Sequence, residues 1–406
     1  MATVKPFQAF RYTEKAGDPA TLLTQPYDKI SPEMHERYLA ASPYNLVRVL
    51  LGEPQDSDND DENVYTRAAA CLNDWIRDGI LAQDPEPGFY VYSQEFDVPD
   101  SNERITRQGF IGLTKVEDYD AKVVFRHEQT LTGPKRDRLE LLRHTRAHFG
   151  QIFMLYPDPE YTVDRVLRKA SSGNPVFEMA DEYSVYHRLW PVTDPEEVEA
   201  IQAGMEDKRL LIADGHHRYE TALAYARENP DDPAAQYVMM TMVNMHSTGL
   251  KILPTHRVLR NVPEFDAEAL VAEARKLGSL EELKLEFSSP VRHQVRFGII
   301  VPDGVYLLER PRRNGELDVP VLHNELIEGR LGITQDQVRE QSFISYVRGV
   351  ENAAAEVFER GAQAAFIVEA TPIEDMARIA FGGGVMPQKS TDFYPKLLSG
   401  IAIYKL

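Results

Sequence analysis

The sequence predicts an α/β fold of the α+β kind, with mixed sheets and flanking helices. Three observations predict it. Apolar β-type runs such as Phe89–Val98 and Ile152–Tyr156 alternate with segments of helical spacing such as Val64–Asp78 and Gly215–Glu228. The alternation lacks the even rhythm of a barrel, and no internal repeat is visible. One apolar run, 209–213, passes through Gly215 straight into a strong helix.

Residues 1–25 are mixed and enter the first sheet. Ser31 is a good N-cap with Pro32 at the first helical position, which predicts a helix to about Ala41. Asn45–Leu51 reads as a strand, and the acidic run Asp56–Glu62 as a solvated loop before the helix Val64–Asp78, closed by Gly79. Phe89–Val98 and Arg107–Thr114 read as paired strands with a turn near Asp100-Ser101-Asn102. Val123–Phe125 leads into Arg126-His127-Glu128, and Asp137–Phe149 reads as a helix rich in Arg and His. Helices follow at 196–205, 215–228, 325–331 and 350–360, and strands at 152–156, 209–213, 237–245 and 364–368. Phe297–Val301 and Val305–Glu309 form a hairpin around Pro302-Asp303-Gly304. A weak boundary near residue 190 separates lobes 1–190 and 191–406.

The 406 residues carry 45 Lys and Arg against 64 Asp and Glu, a formal net charge of −19. That balance argues against nucleic acid as partner, because phosphate-backbone binding needs a basic field. It leaves room for a local basic pocket for a small anion. The single cysteine, Cys71, excludes an intramolecular disulfide and a thiolate metal cage. Met1–Phe10 has no apolar signal core, and no run has the length of a membrane helix, so the chain reads as cytoplasmic with no membrane partner. Oligomeric state is not legible.

The sharpest constellation is Asp214-Gly215-His216-His217-Arg218-Tyr219-Glu220-Thr221, at the start of the helix. Unpaired amides and the helix dipole make an anion site there. Asp214 is expected at the N-cap. Gly215 admits a phosphate to the backbone, and Arg218 adds a charge-assisted contact. Tyr219, Ala222, Leu223 and Ala226 form the core-facing stripe, while His216 and Glu220 share another face. A bare carboxylate repels phosphate, so Asp214 suits a bound Mg²⁺ or a substrate hydroxyl. Glu220 is the second candidate metal ligand. A zinc site from His127, His216 and an acid is the alternative.

Three further clusters are basic. Arg126-His127-Glu128 precedes Lys135-Arg136-Asp137-Arg138 and then Arg143, His144 and Arg146. Pro254-Thr255-His256-Arg257 falls in a loop after an apolar strand. Met386-Pro387-Gln388-Lys389-Ser390-Thr391 follows three glycines, a phosphate-friendly composition without Walker spacing.

The Ala213–Ala222 box resembles the signature of a bacterial and archaeal family designated as a domain of unknown function. The resemblance covers nearly the whole chain. It includes Pro26-Tyr27-Asp28 with Ile30-Ser31-Pro32, His127-Glu128, Asp137–Leu142, His187-Arg188-Leu189-Trp190, Leu253–Arg257 and Met386–Thr391. The box is also similar to that of the ParB/sulfiredoxin-like superfamily of nucleotide-binding proteins, which includes free-serine kinases, sulfiredoxins and partition proteins. That resemblance implies that Gly215, His216, His217 and Arg218 hold the phosphates of a nucleotide or pyrophosphate. Sulfiredoxins carry a cysteine in the box, absent here, and partition proteins need a basic surface.

The expectation is therefore a phosphotransferase that phosphorylates a small hydroxy amino acid, with free L-serine first. It would use ATP, ADP or pyrophosphate, with Mg²⁺. Asp214 or Glu128 would act as base, His127 or His216 would shuttle a proton, and Arg218, Arg138, Arg257 and Lys389 would offset phosphoryl charge. The alternatives are a phosphoester hydrolase acting on a small phosphomonoester such as phosphoserine, and a non-enzymatic nucleotide-binding regulatory protein.

Overall fold

The computed structural model describes residues 1–99, 101–128, 133–313 and 315–406, with the side chains of 133–135 excepted. Asp100 of the expected turn and the Lys135 side chain lie outside the described residues. Local signals explain several elements directly. Ser31 accepts a hydrogen bond from the Met34 amide (3.2 Å), and with Pro32 in the first turn it starts the helix Pro32–Ala41. Asn63 and Thr66 form a reciprocal capping box for the helix Val64–Arg77.

Contacts divide the chain into two units. The first comprises residues 1–126, 131–250 and 395–406, and the second 127–130 and 251–394. This is a different division from the lobes 1–190 and 191–406. The strands Leu210–Asp214 and Tyr237–Asn244 both pair with Ile152–Tyr156, so one sheet runs across residue 190.

Among the described residues of the first unit, nine strands form that sheet. Leu210–Asp214 runs antiparallel to Ile152–Tyr156, which runs parallel to Tyr237–Asn244. Beyond it lie Arg104–Lys115, Phe89–Asp97, Tyr186–Val192 and Phe177–Ala180, all antiparallel to their neighbours. The two faces differ in chemistry. Phe89, Val91, Phe110, Ile152, Met154, Leu210, Ile212, Met240 and Met242 make an apolar face. Three helices, Thr162–Ala170, Pro195–Met205 and His216–Glu228, cover it with Val163, Leu167, Ile201, Met205, Tyr219, Ala222 and Ala226. Each of the Val, Leu, Ile, Phe and Met side chains among them contributes about 1.5–3 kcal/mol by leaving water. The opposite face carries Gln94, Arg107, Phe153 and Thr241, and its neighbour Gln151 donates to the Leu398 carbonyl at 3.1 Å.

The second unit is built on a six-stranded sheet, in the order Arg275–Leu277, Gly304–Pro311, Gln294–Val301, Ala364–Ile367, His256–Leu259, Ile344–Val347. The hairpin at Pro302-Asp303 forms as expected, with Val301 opposite Gly304.

Several expectations are corrected. Asn45–Leu51 is not a strand. Asn45 Oδ1 accepts from the Val47 amide (2.9 Å), and the short helix Val47–Leu50 buries Val47, Val49 and Leu50. The helix expected at 137–149 runs Gly133–Thr145, and Ala147–His148 then pairs with Tyr404–Lys405. His256–Leu259 is a central strand rather than a loop. The expected 325–331 helix is the π-type segment Leu322–Glu328.

Among the described residues, no helix is long and apolar enough to cross a membrane.

Candidate phosphate site in the first unit

The site begins with a break in strand register. Ile212 pairs with Met154, but Asp214 pairs with Phe153, so Ala213 is an extra residue in its strand. Strict alternation would point Asp214 to the apolar face with Leu210 and Ile212. The bulge moves it to the polar face, beside Phe153. Asp214 is thus the last strand residue and not the helix cap. Gly215 takes the cap position with φ 94°, and no side chain caps the helix.

Cations surround the Asp214 carboxylate. Lys396 Nζ lies 3.1 Å from one oxygen, and the Arg218 guanidinium 4.0 Å from the other. Burial works to raise the Asp214 pKa, but Lys396, Arg218 and Lys29 together outweigh it and hold the carboxylate well below the usual range. The folded pKa lies below the unfolded value of about 3.9, so this stabilisation is complete at neutral pH and fades as the pH falls toward the folded pKa. Lys396→Met removes the closest cation and raises that pKa. The variant is expected to unfold at a higher pH than the wild type when acid titrations are followed by circular dichroism. An unchanged acid midpoint would show that the pair carries no weight.

Lys396 is held by its backbone. Its carbonyl accepts from Gln94 Nε2 at 2.8 Å, and the Pro395 carbonyl accepts from Arg107 Nη2 at 2.5 Å. Arg107 is 2% exposed, stands 4.6 Å over the Phe153 ring and donates to Gln94 Oε1. Burial pushes its guanidinium down to about 10, which leaves it charged at neutral pH.

Arg218 folds back to donate to the Gln151 carbonyl. Glycines make room for it. A Cβ on Gly215 would stand 3.0 Å from the guanidinium carbon, and one on Gly150 3.3 Å from its Nη1. Gly215→Ala therefore combines a left-handed backbone with crowding of Arg218, and is expected to cost about 1–2 kcal/mol in urea unfolding. Wild-type stability in that variant would refute the crowding.

Beside Arg218 an open recess of about 560 Å³, solvent included, is lined by Tyr27, Arg138, Phe149, Gly150 and Ser399 among others. The Arg138 guanidinium stacks 4.7 Å from the Tyr27 ring centre and donates to the Leu50 carbonyl at 2.7 Å. Burial raises the Tyr27 pKa, so the phenol remains a donor, and burial pushes the His148 imidazole in the same recess down to about 4.

The sequence-derived residues fall into two groups. Asp214, Gly215, His216, His217, Arg218, Glu220 and Arg138 belong to the first unit; His127, Glu128, Arg257 and Lys389 belong to the second. There, Glu128 Oε1 accepts from the Ser390 amide (3.1 Å), His127 Nε2 meets Thr391 Oγ1 (2.7 Å), and Arg257 Nη2 donates to the Lys389 carbonyl (3.0 Å). Lys29, Arg107 and Lys396 were missed by sequence reasoning, although Lys29 adjoins the Pro26-Tyr27-Asp28 box. As for a metal, Asp214 is occupied by cations and Glu220 lies 3.6 Å from Arg126. Among the described residues, no group of three or more His, Cys, Asp or Glu is placed to hold a metal ion. The expected Asp214–Glu220 pair is thus joined by no third His, Cys, Asp or Glu among the described residues. The glycine-bounded, cation-rich helix start does fit an anion.

Comparison with solved structures gives a conserved hypothetical protein from Pyrococcus furiosus at 12% identity, covering 70% of this chain and 91% of that one, with a TM-score of 0.36. A free serine kinase in complex with AMP matches at 12% identity, covering 70% and 88%, with a TM-score of 0.35. SbnI with a C-terminal truncation from Staphylococcus aureus matches at 13% identity, covering 72% and 87%, with a TM-score of 0.35. Comparison with curated protein sequences finds no match. The profile of the family described as Protein of unknown function (DUF1015) matches residues 4–326, well over half of the chain, and the protein belongs to that family.

Proposed function

We propose that the first unit binds the phosphates of a nucleotide or pyrophosphate, and that the protein is a phosphotransferase acting on a small hydroxy amino acid, with free L-serine the first acceptor to test. One observation carries the reading: an ionised Asp214 stands among Lys396, Arg218 and Lys29 at a glycine-bounded helix start. The order helix Pro195–Met205, strand Leu210–Asp214, glycine turn and helix His216–Glu228 supports a ParB/sulfiredoxin-like assignment of this core.

In this reading the amides after Gly215, with Arg218 and Arg138, hold the donor phosphates. The acceptor oxygen attacks the terminal phosphorus, the bond to the bridging oxygen breaks, and the hydroxyl proton passes to Asp214 or to water. A carboxylate held so far below its usual pKa is a weak base. Asp214 therefore orients the hydroxyl and accepts its proton late, as a loose phosphoryl-transfer transition state permits. Lys396 and Arg218 offset the charge on the transferred group. Mg²⁺ would enter with the donor phosphates, since no group of three or more His, Cys, Asp or Glu among the described residues is placed to hold it.

The test is incubation of the full chain with L-serine, Mg²⁺ and ATP, ADP or pyrophosphate, read by mass spectrometry. Phosphoserine is expected with at least one donor. Its absence with all three overturns the serine-kinase reading, and phosphate release from phosphoserine without any donor would mark a hydrolase.

A further inference from the structure

The second unit holds a separate cluster of buried donors. Strand His256–Leu259 lies between Ile344–Val347 and Ala364–Ile367, and in that register Arg257 stands opposite Tyr346 on one side and Phe366 on the other. Directly opposed residues share a face, so Arg257, Tyr346 and Phe366 point to the same side of the sheet. The segment Leu322–Glu328 packs on that face through Leu322, Leu326 and Ile327, and brings His323 with it. It is π-type, a distortion that often accompanies functional sites. His256, one residue away, belongs to the opposite face, where Glu351 acts on it.

Arg257 is 0% exposed, and its guanidinium lies 5.5 Å from the Tyr346 ring centre. Its Nη1 donates to the Thr255 carbonyl and its Nη2 to the Lys389 carbonyl. Among the described residues, its Nε has no hydrogen-bond partner. Tyr346 Oη and His323 Nε2 are also buried without one. A buried polar atom without a partner is costly to leave unmet, and three around one buried charge ask for an acceptor.

We propose that this face of the second unit binds a small carboxylate, with Arg257 Nε, Tyr346 Oη and His323 Nε2 as donors. A carboxylate brings two oxygens and about four acceptor positions for these three donors, with His323 in the Nε2–H tautomer. Its single charge matches the one buried guanidinium. Glu128 acts on both Arg257 and Tyr346, so a phosphate dianion would meet repulsion there. Burial, with the Arg257 charge added, pushes the His323 imidazole down to about 3, so it donates without adding a second positive charge. The inference uses residues of the second unit alone and is independent of the phosphate reading.

The test is calorimetric titration of the full chain with sodium acetate, glycolate and glycerate, against sodium chloride at matched ionic strength. At least one carboxylate is expected to bind the wild type. Tyr346→Phe keeps the ring and removes only the hydroxyl; it should weaken that binding about tenfold, near 1.4 kcal/mol. Arg257→Lys keeps the charge and removes Nε, and should weaken it at least as much. Arg218→Ala should leave it unchanged. No carboxylate binding, or equal binding by wild type and Tyr346→Phe, overturns the proposal. Loss in Arg218→Ala with Tyr346→Phe unaffected would place the anion in the first unit and overturn it too.

Discussion

Arg218→Ala is expected to lower affinity for nucleotide or pyrophosphate at least a hundredfold while the chain stays folded. Arg218 sits at the glycine-bounded helix start, half-buried, within 4.0 Å of Asp214. A charge-assisted contact to phosphate in such a place carries about 2–4 kcal/mol. Its loss should appear in affinity, and in kcat/KM if turnover is found. The cost in stability should be smaller, because among the described residues the guanidinium makes one hydrogen bond, to the Gln151 carbonyl. Calorimetric titration beside urea unfolding separates the two effects. Affinity within threefold of wild type would remove Arg218 from the site. Arg218→Lys tests geometry, because it keeps the charge without the planar fork; an intermediate loss is expected.

Arg107→Met is expected to be the most destabilising single change in the first unit, at about 2–4 kcal/mol in urea unfolding. The side chain is buried on the polar face and serves two acceptors, Gln94 Oε1 and the Pro395 carbonyl. Removing the guanidinium leaves both buried without that donor. A second consequence follows from chain connectivity. Pro395 precedes Lys396, so loosening it should slacken the Lys396–Asp214 pair (3.1 Å) and weaken phosphate binding about tenfold. Adding Gln94→Leu should cost less in this background than in the wild type, since the acceptor that Arg107 leaves stranded disappears with it, although the Lys396 carbonyl loses its donor in both. Strict additivity of the two changes would show that they do not share a hydrogen bond.

The sequence made local features legible. Ser31 and Pro32 mark a helix start, Pro302-Asp303-Gly304 marks a hairpin, and the run through Asp214 and Gly215 marks a strand–turn–helix. Each depends on residues only a few positions apart. Asn45–Leu51 misled because a short apolar run fits strand and buried helix alike, and the Asn45 cap decided between them. The bulge at Ala213 was hidden for a different reason. Pairing register is a property of two strands, and one inserted residue reverses every side chain beyond it. Asp214 was found by its neighbours in sequence, but which face it occupies was not.

Lys396 and Arg107 were beyond reach for the same reason. Lys396 reaches Asp214 from the far end of the chain, along a segment gripped by Gln94 and Arg107. The basic motifs, read as one pocket, belong to two units, with Arg138 and Arg218 in the first and Arg257 and Lys389 in the second. Net charge left room for a basic pocket in an acidic chain without pointing to it or to the way the motifs divide.

The central claim is that the helix start after Gly215 receives phosphate. A crystal of the full chain soaked with ADP and Mg²⁺ tests it most directly. Phosphate density against the amides of His216 and His217, within hydrogen-bond reach of Arg218, is the predicted result. Well-ordered nucleotide bound away from Gly215, with that helix start bare, would contradict it.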